Sequence, residues 1–183
     1  MVLNIPNLLT FFRLLLVPIF VGVFLCNFNH HHLLSALLFL VAAVTDWLDG
    51  FLARKLNQSS PFGAFLDPVV DKVMVAAALV LLVYEFHSFL MAVAGIVIVS
   101  REIVVSALRE WMAELGARAT VKVSFIGKVK TAMQMIAILL LLGASSFGAP
   151  TVGVILGMCL MYIAVFLTLW SMCLYLIAAW KYF

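Results

Sequence analysis

Apolar runs about as long as a bilayer is thick follow one another along this chain and leave it few ways to fold. Hydropathy predicts six helical spans, at roughly 7–27, 33–54, 64–84, 88–108, 129–146 and 152–178. Each is close to the ~20 residues that cross a hydrocarbon core. Of the 183 residues, 67% are hydrophobic and 10% charged, whereas soluble domains carry about 25% charged residues. The expected fold class is therefore all-α integral membrane with six transmembrane helices, as one membrane domain over 1–183. The breaks are polar or punctuated, at Asn27–His32, Asn57–Pro61, Glu85–Ser88, Glu110–Gly127 and Ser145–Pro150. The first run follows Arg13 much as a signal peptide would, but Leu25 before Cys26 is too large for a lipoprotein-type site and no small-x-small site follows. It is expected to stay as the first span. Cys26, Cys159 and Cys173 match no metal or redox spacing and are read as core or lipid-facing residues.

The eleven Lys and Arg residues are distributed unevenly. Arg54, Lys55 and Lys72 flank the second connection, and Arg101, Arg109, Arg118, Lys122, Lys128 and Lys130 surround the fourth. Arg13 opens the first span and Lys181 follows the last, while the first, third and fifth connections hold none. The positive-inside rule then predicts that both termini are cytoplasmic. His30, His31 and His32 fall on the opposite side, where they read as a solvated loop rather than a metal-binding tract. A net charge of +3 without a basic run argues against nucleic acid as a partner.

Against this apolar background, Asp46, Asp49, Asp67 and Asp71 gather half of the eight acidic residues into 26 positions. Carboxylates in membrane segments cost on the order of 2.5–3.5 kcal/mol each and mark functional sites by default. Residues three and four apart share a helix face. Asp46, Asp49, Gly50 and Ala53 form one such stripe, and Gly63, Asp67 and Asp71 another. Glycine and alanine let a bulky group approach the backbone, and Arg54 offers a fork of donors suited to phosphate. Four facing carboxylates repel unless cations separate them. Divalent ions such as Mg²⁺ or Mn²⁺, bridged by a diphosphate, would resolve that conflict. The implied chemistry is metal-assisted phosphoryl transfer. The rival reading is a buried charge network or proton relay, disfavoured by the small residues, the adjacent Arg54 and a location near the membrane surface.

The run D-x-x-D-G-x-x-A-R-x8-G-x-x-x-D-x-x-x-D spans Asp46–Asp71. At every position it resembles the signature of the CDP-alcohol phosphotransferases, which move a substituted phosphate from a CDP-linked donor to an alcohol and release CMP. Further stretches resemble the members that act on CDP-diacylglycerol and glycerol 3-phosphate. They are Asn4–Thr10 with Arg13, Val41–Asp46, Asn57–Ser60, Arg101–Ile103 with Ala107–Gly116, and Gly127–Thr131. The resemblance implies that Asp46, Asp49, Asp67 and Asp71 hold two divalent ions, Mg²⁺ or Mn²⁺. It also implies that Asp71 is the general base and that Gly50, Ala53, Arg54 and Gly63 bind the CDP moiety. Membrane lipids, a homodimer and a bacterial cytoplasmic membrane, with the active site facing the cytoplasm, belong to the same expectation.

An acceptor with its own phosphate needs further cations, and Arg101, Arg109, Lys128 and Lys130 are the candidates. Arg101 stands inside an apolar run and needs a partner, which Glu102 could supply. Lys128 and Lys130 flank Val129 and cannot both face one site. Asn7, Thr10 and Arg13 recur at helical spacing, read equally as an Asn7 cap with an interfacial arginine or as a nucleotide contact. Trp111 fits an interfacial segment, and Pro68 a first helical turn. The rivals are the same fold with serine, inositol phosphate or phosphatidylglycerol as acceptor, a membrane prenyltransferase, and a cation transporter. Serine would leave the basic group without a ligand.

Overall fold

The computed structural model describes residues 5–26, 28–56, 61–116, 125–144 and 151–180, which form six α-helices and no strand. They are α1 (Ile5–Leu25), α2 (His31–Leu56), α3 (Pro61–Phe86), α4 (Phe89–Glu114), α5 (Phe125–Ala144) and α6 (Val152–Ala179). Helix α1 packs on α2 and α3, α5 bridges α2 and α6, and α4 closes the bundle against α3 and α6.

The bundle is apolar outside and buries several polar and charged side chains beside its apolar core. Leu15, Ile19, Val80, Ile96, Phe166 and Ile177 are exposed, while Arg13, Ser35, Arg101, Lys130, Gln134 and Thr168 are buried. Such a distribution is unstable in water and stable in lipid, where exposed apolar atoms cost nothing and polar groups must find partners within the protein. Several hydroxyls do so by donating to their own helix: Ser35 to the His31 carbonyl, Thr45 to Val41 and Thr131 to Gly127. Three helices, α1, α4 and α6, are long and apolar enough to cross a membrane. The apolar stretches of α2 and α5 are shorter, His31–Asp46 and Val129–Ala144. Helix α3 is interrupted by Asp67, Asp71, Lys72 and Glu85. Of the charges in α3, Asp67, Asp71 and Lys72 lie at or beside the candidate site, while Glu85 pairs with His32 at the other end. All three cysteines are exposed on the apolar exterior.

Lipid tails are as apolar as leucine, so helix association here depends on close packing. One buried cluster runs through five helices, with Phe20, Phe39, Leu82, Ile98 and Leu141 among its members, and takes in Met161 from α6. Small residues tighten the seams. At Gly157 an added Cβ would lie 2.8 Å from Leu141 Cγ and 3.4 Å from the Ala137 carbonyl. Gly157→Ala is therefore expected to cost about 1–3 kcal/mol of overpacking, read as a lower melting temperature in detergent. An unchanged melting temperature would mean that α5 and α6 can move apart freely.

Four sequence expectations change. Helix α3 begins at Pro61, so Pro68 lies inside the helix rather than in its first turn. Lacking an N–H, it cannot bond the Ala64 carbonyl, and the ladder is broken one residue after Asp67. Helix α1 already includes Ile5, so the buried Asn7 is helical and is not the cap. Helix α4 runs unbroken to Glu114, and Trp111 packs beside Met112 and Tyr175 instead of starting a separate surface segment. The chain leaves α4 through Gly116, whose φ of 72° suits glycine.

The histidine tract is the fourth change. Only His30, at φ 69°, stands before α2. His31 and His32 form the first residues of α2. His31 Nδ1 lies 2.9 Å from the Phe24 carbonyl, and the buried His32 has Nε2 3.4 Å from Glu85 Oε1. These side chains tie the α1–α2 and α3–α4 connections together at the end of the bundle away from the aspartates, and do not form a solvated loop.

Candidate active site

Where α1 crosses α2 and α3, one guanidinium meets three carboxylates. Arg13 Nη1 donates to Asp46 Oδ1 at 2.7 Å and also to Asp71 Oδ1. Arg13 Nη2 lies 3.6 Å from Asp67 Oδ1. One turn earlier on α1, the buried Thr10 hydroxyl donates to the same Asp67 oxygen. The two helical stripes thus converge as their spacing requires, and the charge that joins them comes from a third helix.

Burial is unequal across this group. The Arg13 side chain is 3% exposed, whereas those of Asp46, Asp67 and Asp71 are 46%, 40% and 44% exposed. The guanidinium is the floor of a cup whose walls are carboxylates open on one side. A buried cation is tolerable only with such partners. Three carboxylates share one guanidinium, so the cup keeps negative charge at its mouth. Its hard oxygen donors and residual charge fit a divalent cation. As placed, no three His, Cys, Asp or Glu side chains among the described residues form a ready cage; the described carboxylates instead contact Arg13 and Thr10. Asp49 follows Asp46 by one turn within α2, as do Gly50, Ala53 and Arg54 further along the same helix. The side chains of these four residues, and that of Lys128 on α5, lie outside the description. Gly63 is buried in the first turns of α3.

The predicted acceptor cations divide into two groups. Arg101 is buried and pairs with Glu102, and buried Lys130 places Nζ 3.9 Å from Glu102 Oε1. Two cations from α4 and α5 thus share one carboxylate. The Lys130 ammonium is fully enclosed yet makes no hydrogen bond among the described residues. Arg109, two turns along α4, is exposed and rests on Tyr175 of α6. Its guanidinium carbon is 5.7 Å from the ring centroid, with Nη2 3.5 Å from the hydroxyl. It belongs to a different contact from the Arg101–Lys130 pair.

Lys72 links the two halves. It follows Asp71 on α3 and donates to Ser106 on α4. Below it a cavity of about 190 Å³ opens between these helices, lined by Lys72, Val73 and Ala76 on one side and Ile98, Glu102 and Ile103 on the other. The cavity thus touches Lys72, the neighbour of Asp71, and Glu102, the carboxylate that Arg101 and Lys130 share. The sequence pattern assigned Lys72 only to the cytoplasmic flank of the second connection, not to the site. Its position directly after Asp71 was the available signal, but the Ser106 contact spans 34 residues.

An all-helical bundle with an apolar exterior and a cluster of carboxylates where α1 meets α2 and α3 defines a membrane-type protein with a polar, charged site. The sequence profile of the CDP-alcohol phosphatidyltransferase family matches residues 3–170, and the chain belongs to that family of transferases. Among curated proteins it is 53% identical over 176 residues to the CDP-diacylglycerol–glycerol-3-phosphate 3-phosphatidyltransferases of Salmonella typhimurium, Shigella flexneri and Escherichia coli. Each alignment covers 96% of this chain and 94% of the relative.

Proposed function

We propose that this protein transfers the phosphatidyl group of CDP-diacylglycerol to glycerol 3-phosphate, giving phosphatidylglycerol phosphate and CMP. The observation that carries the acceptor assignment is Lys130, an enclosed ammonium with no hydrogen bond among the described residues, which shares Glu102 with a second buried cation. Such a pair is costly unless an anion completes it, and an acceptor phosphate is that anion. The relatives at 53% identity, all named for glycerol 3-phosphate as acceptor, support the same reading.

In this reading Asp46, Asp49, Asp67 and Asp71 hold two divalent ions, Mg²⁺ or Mn²⁺. When bound, these ions neutralise the diphosphate and stabilise the leaving phosphate of CMP. Gly50, Ala53, Arg54 and Gly63 accommodate the CDP moiety, with the small residues permitting close approach. Arg101 and Lys130 bind the phosphate of glycerol 3-phosphate, with Arg109 and Lys128 as the further cations assigned to that acceptor. Asp71 takes the proton of the acceptor hydroxyl. The hydroxyl oxygen forms a bond to the phosphorus that bears diacylglycerol, and the bond from that phosphorus to the oxygen of CMP breaks with its electron pair. Positioning supplies much of the acceleration.

All six helices span the membrane in this reading, as one domain over 1–183. Both termini and the cup face the cytoplasm, the side to which every Lys and Arg is assigned. The lipid-linked donor enters from the bilayer of a bacterial cytoplasmic membrane, and the protein works as a homodimer. The acceptor assignment is tested by Arg101→Ala. Lys130 remains beside Glu102, so the fold is expected to hold. Loss of a charge-assisted phosphate contact should raise KM for glycerol 3-phosphate by roughly tenfold to a hundredfold with a smaller change in kcat. An unchanged KM in a folded variant would remove Arg101 from the acceptor site.

A further inference from the structure

The aspartate signature is conventionally a matter of α2 and α3, yet the groups that bring its carboxylates together come from α1. We infer that Arg13 and Thr10 are positioning residues that assemble the carboxylate cup for its cations. This inference rests on the metal-dependent reading proposed above.

Three observations lead to it. First, each described carboxylate gives Oδ1 to α1: Asp46 and Asp71 to Arg13, and Asp67 to Thr10, with Arg13 Nη2 3.6 Å away. One oxygen of each is committed to the floor, which leaves the second for a ligand at the open side. Second, the floor is buried and the walls are not, since Arg13 and Thr10 are 2% and 1% exposed. An ion arriving at the mouth therefore need not displace the guanidinium. Third, the spacing of Thr10 and Arg13, one helical turn, matches the spacing of Asp67 and Asp71 along the facing helix.

Asp46, Asp67 and Asp71 would repel one another if left alone, and α2 and α3 make little direct contact with each other. A single buried guanidinium between them holds both helices to α1 and keeps the carboxylates within reach of a shared ion. Outer-shell groups of this kind hold ligand carboxylates in orientation, and their loss typically costs about 10–100-fold in metal affinity or activity.

The experiment is Mn²⁺ binding to the purified, detergent-solubilised protein, followed by electron paramagnetic resonance without donor or acceptor. Wild type is compared with Asp46→Asn, Arg13→Gln, Thr10→Val and Thr10→Ser. Thr10→Val keeps the shape of the side chain and removes only the hydroxyl that reaches Asp67. Expected results are a Kd for Mn²⁺ raised about 10-fold or more in Arg13→Gln and severalfold in Thr10→Val, with Thr10→Ser restoring wild-type affinity. A merely structural role would lower the melting temperature of Thr10→Val without moving the Kd of the folded protein. If wild type binds Mn²⁺ in an Asp46-dependent way and Thr10→Val and Arg13→Gln bind it equally well or more tightly, the positioning role is overturned while the metal reading stands. If Arg13→Gln does not fold, the Thr10 pair decides. If wild type binds no Mn²⁺, both the inference and the metal reading fall.

Discussion

Asp71→Asn is expected to cut turnover by about a thousandfold while leaving CDP-diacylglycerol bound. General-base catalysis is typically worth 10²–10⁴-fold, and an amide cannot accept the hydroxyl proton. The carboxamide oxygen can still accept the bond from Arg13 Nη1 that Asp71 Oδ1 now receives. The floor of the cup therefore survives the substitution, as do Asp46 and Asp67 with their own contacts to α1. The measurement is kcat from CMP release, beside direct binding of the donor to the same preparation. Near-normal turnover would place the base elsewhere. Loss of donor binding together with turnover would make Asp71 chiefly a ligand.

The second large effect concerns stability. Glu102 is the carboxylate that two buried cations share. Glu102→Gln removes its charge and leaves Arg101 and Lys130 facing each other in a low-dielectric interior. Breaking a buried pair by removing one partner typically costs about 3–5 kcal/mol. The Glu102 side chain is 32% exposed, so the lower end of about 3 kcal/mol is expected. For a chain of this length that corresponds to a fall in melting temperature of roughly 6–12 °C. Glycerol 3-phosphate should recover part of the loss, because its phosphate supplies the missing negative charge. A variant as stable as wild type would show that the two cations are neutralised by other groups. A destabilised variant that gains nothing from glycerol 3-phosphate would argue against this pair as the acceptor site.

Much of this was legible in the sequence because it depends on local periodicity. The six helices follow from apolar runs of bilayer length, and the convergence of Asp46 with Asp71 follows from stripes at three- and four-residue spacing. The Arg101–Glu102 pairing was legible because the partners are adjacent and an isolated charge in an apolar run demands one. Arg13 was harder to place. It shared a helical spacing with Asn7 and Thr10, but its partners lie 33 and 58 residues away, and no local pattern reports a contact of that range. The histidines were misread for a related reason. Three polar residues between apolar runs look like a solvated loop, whereas His32 is buried by pairing with Glu85 from the far end of α3. Pro68 misled by proximity to a span boundary drawn from hydropathy. Helix α3 extends past that boundary to Pro61, so Gly63 and Asp67 lie in its first turns.

The arrangement gives each region of the bundle a separate task. Close packing through Phe20, Leu82 and Leu141 fixes the helices. The charges at one end are then held in pairs and threes that a lipid environment would otherwise expel. Asp46, Asp67, Asp71 and Lys130 come from α2, α3 and α5, whose apolar stretches are reduced, whereas Arg13, Arg101 and Glu102 stand within α1 and α4, which keep full-length apolar spans.

The most direct test is CMP release by the purified protein supplied with CDP-diacylglycerol, Mg²⁺ and glycerol 3-phosphate, with serine, inositol phosphate and phosphatidylglycerol as parallel acceptors. The expected result is release with glycerol 3-phosphate alone, abolished by EDTA and restored by added Mg²⁺ or Mn²⁺. Release with a different acceptor would contradict the substrate assignment, and release that persists in EDTA would contradict the metal-dependent site.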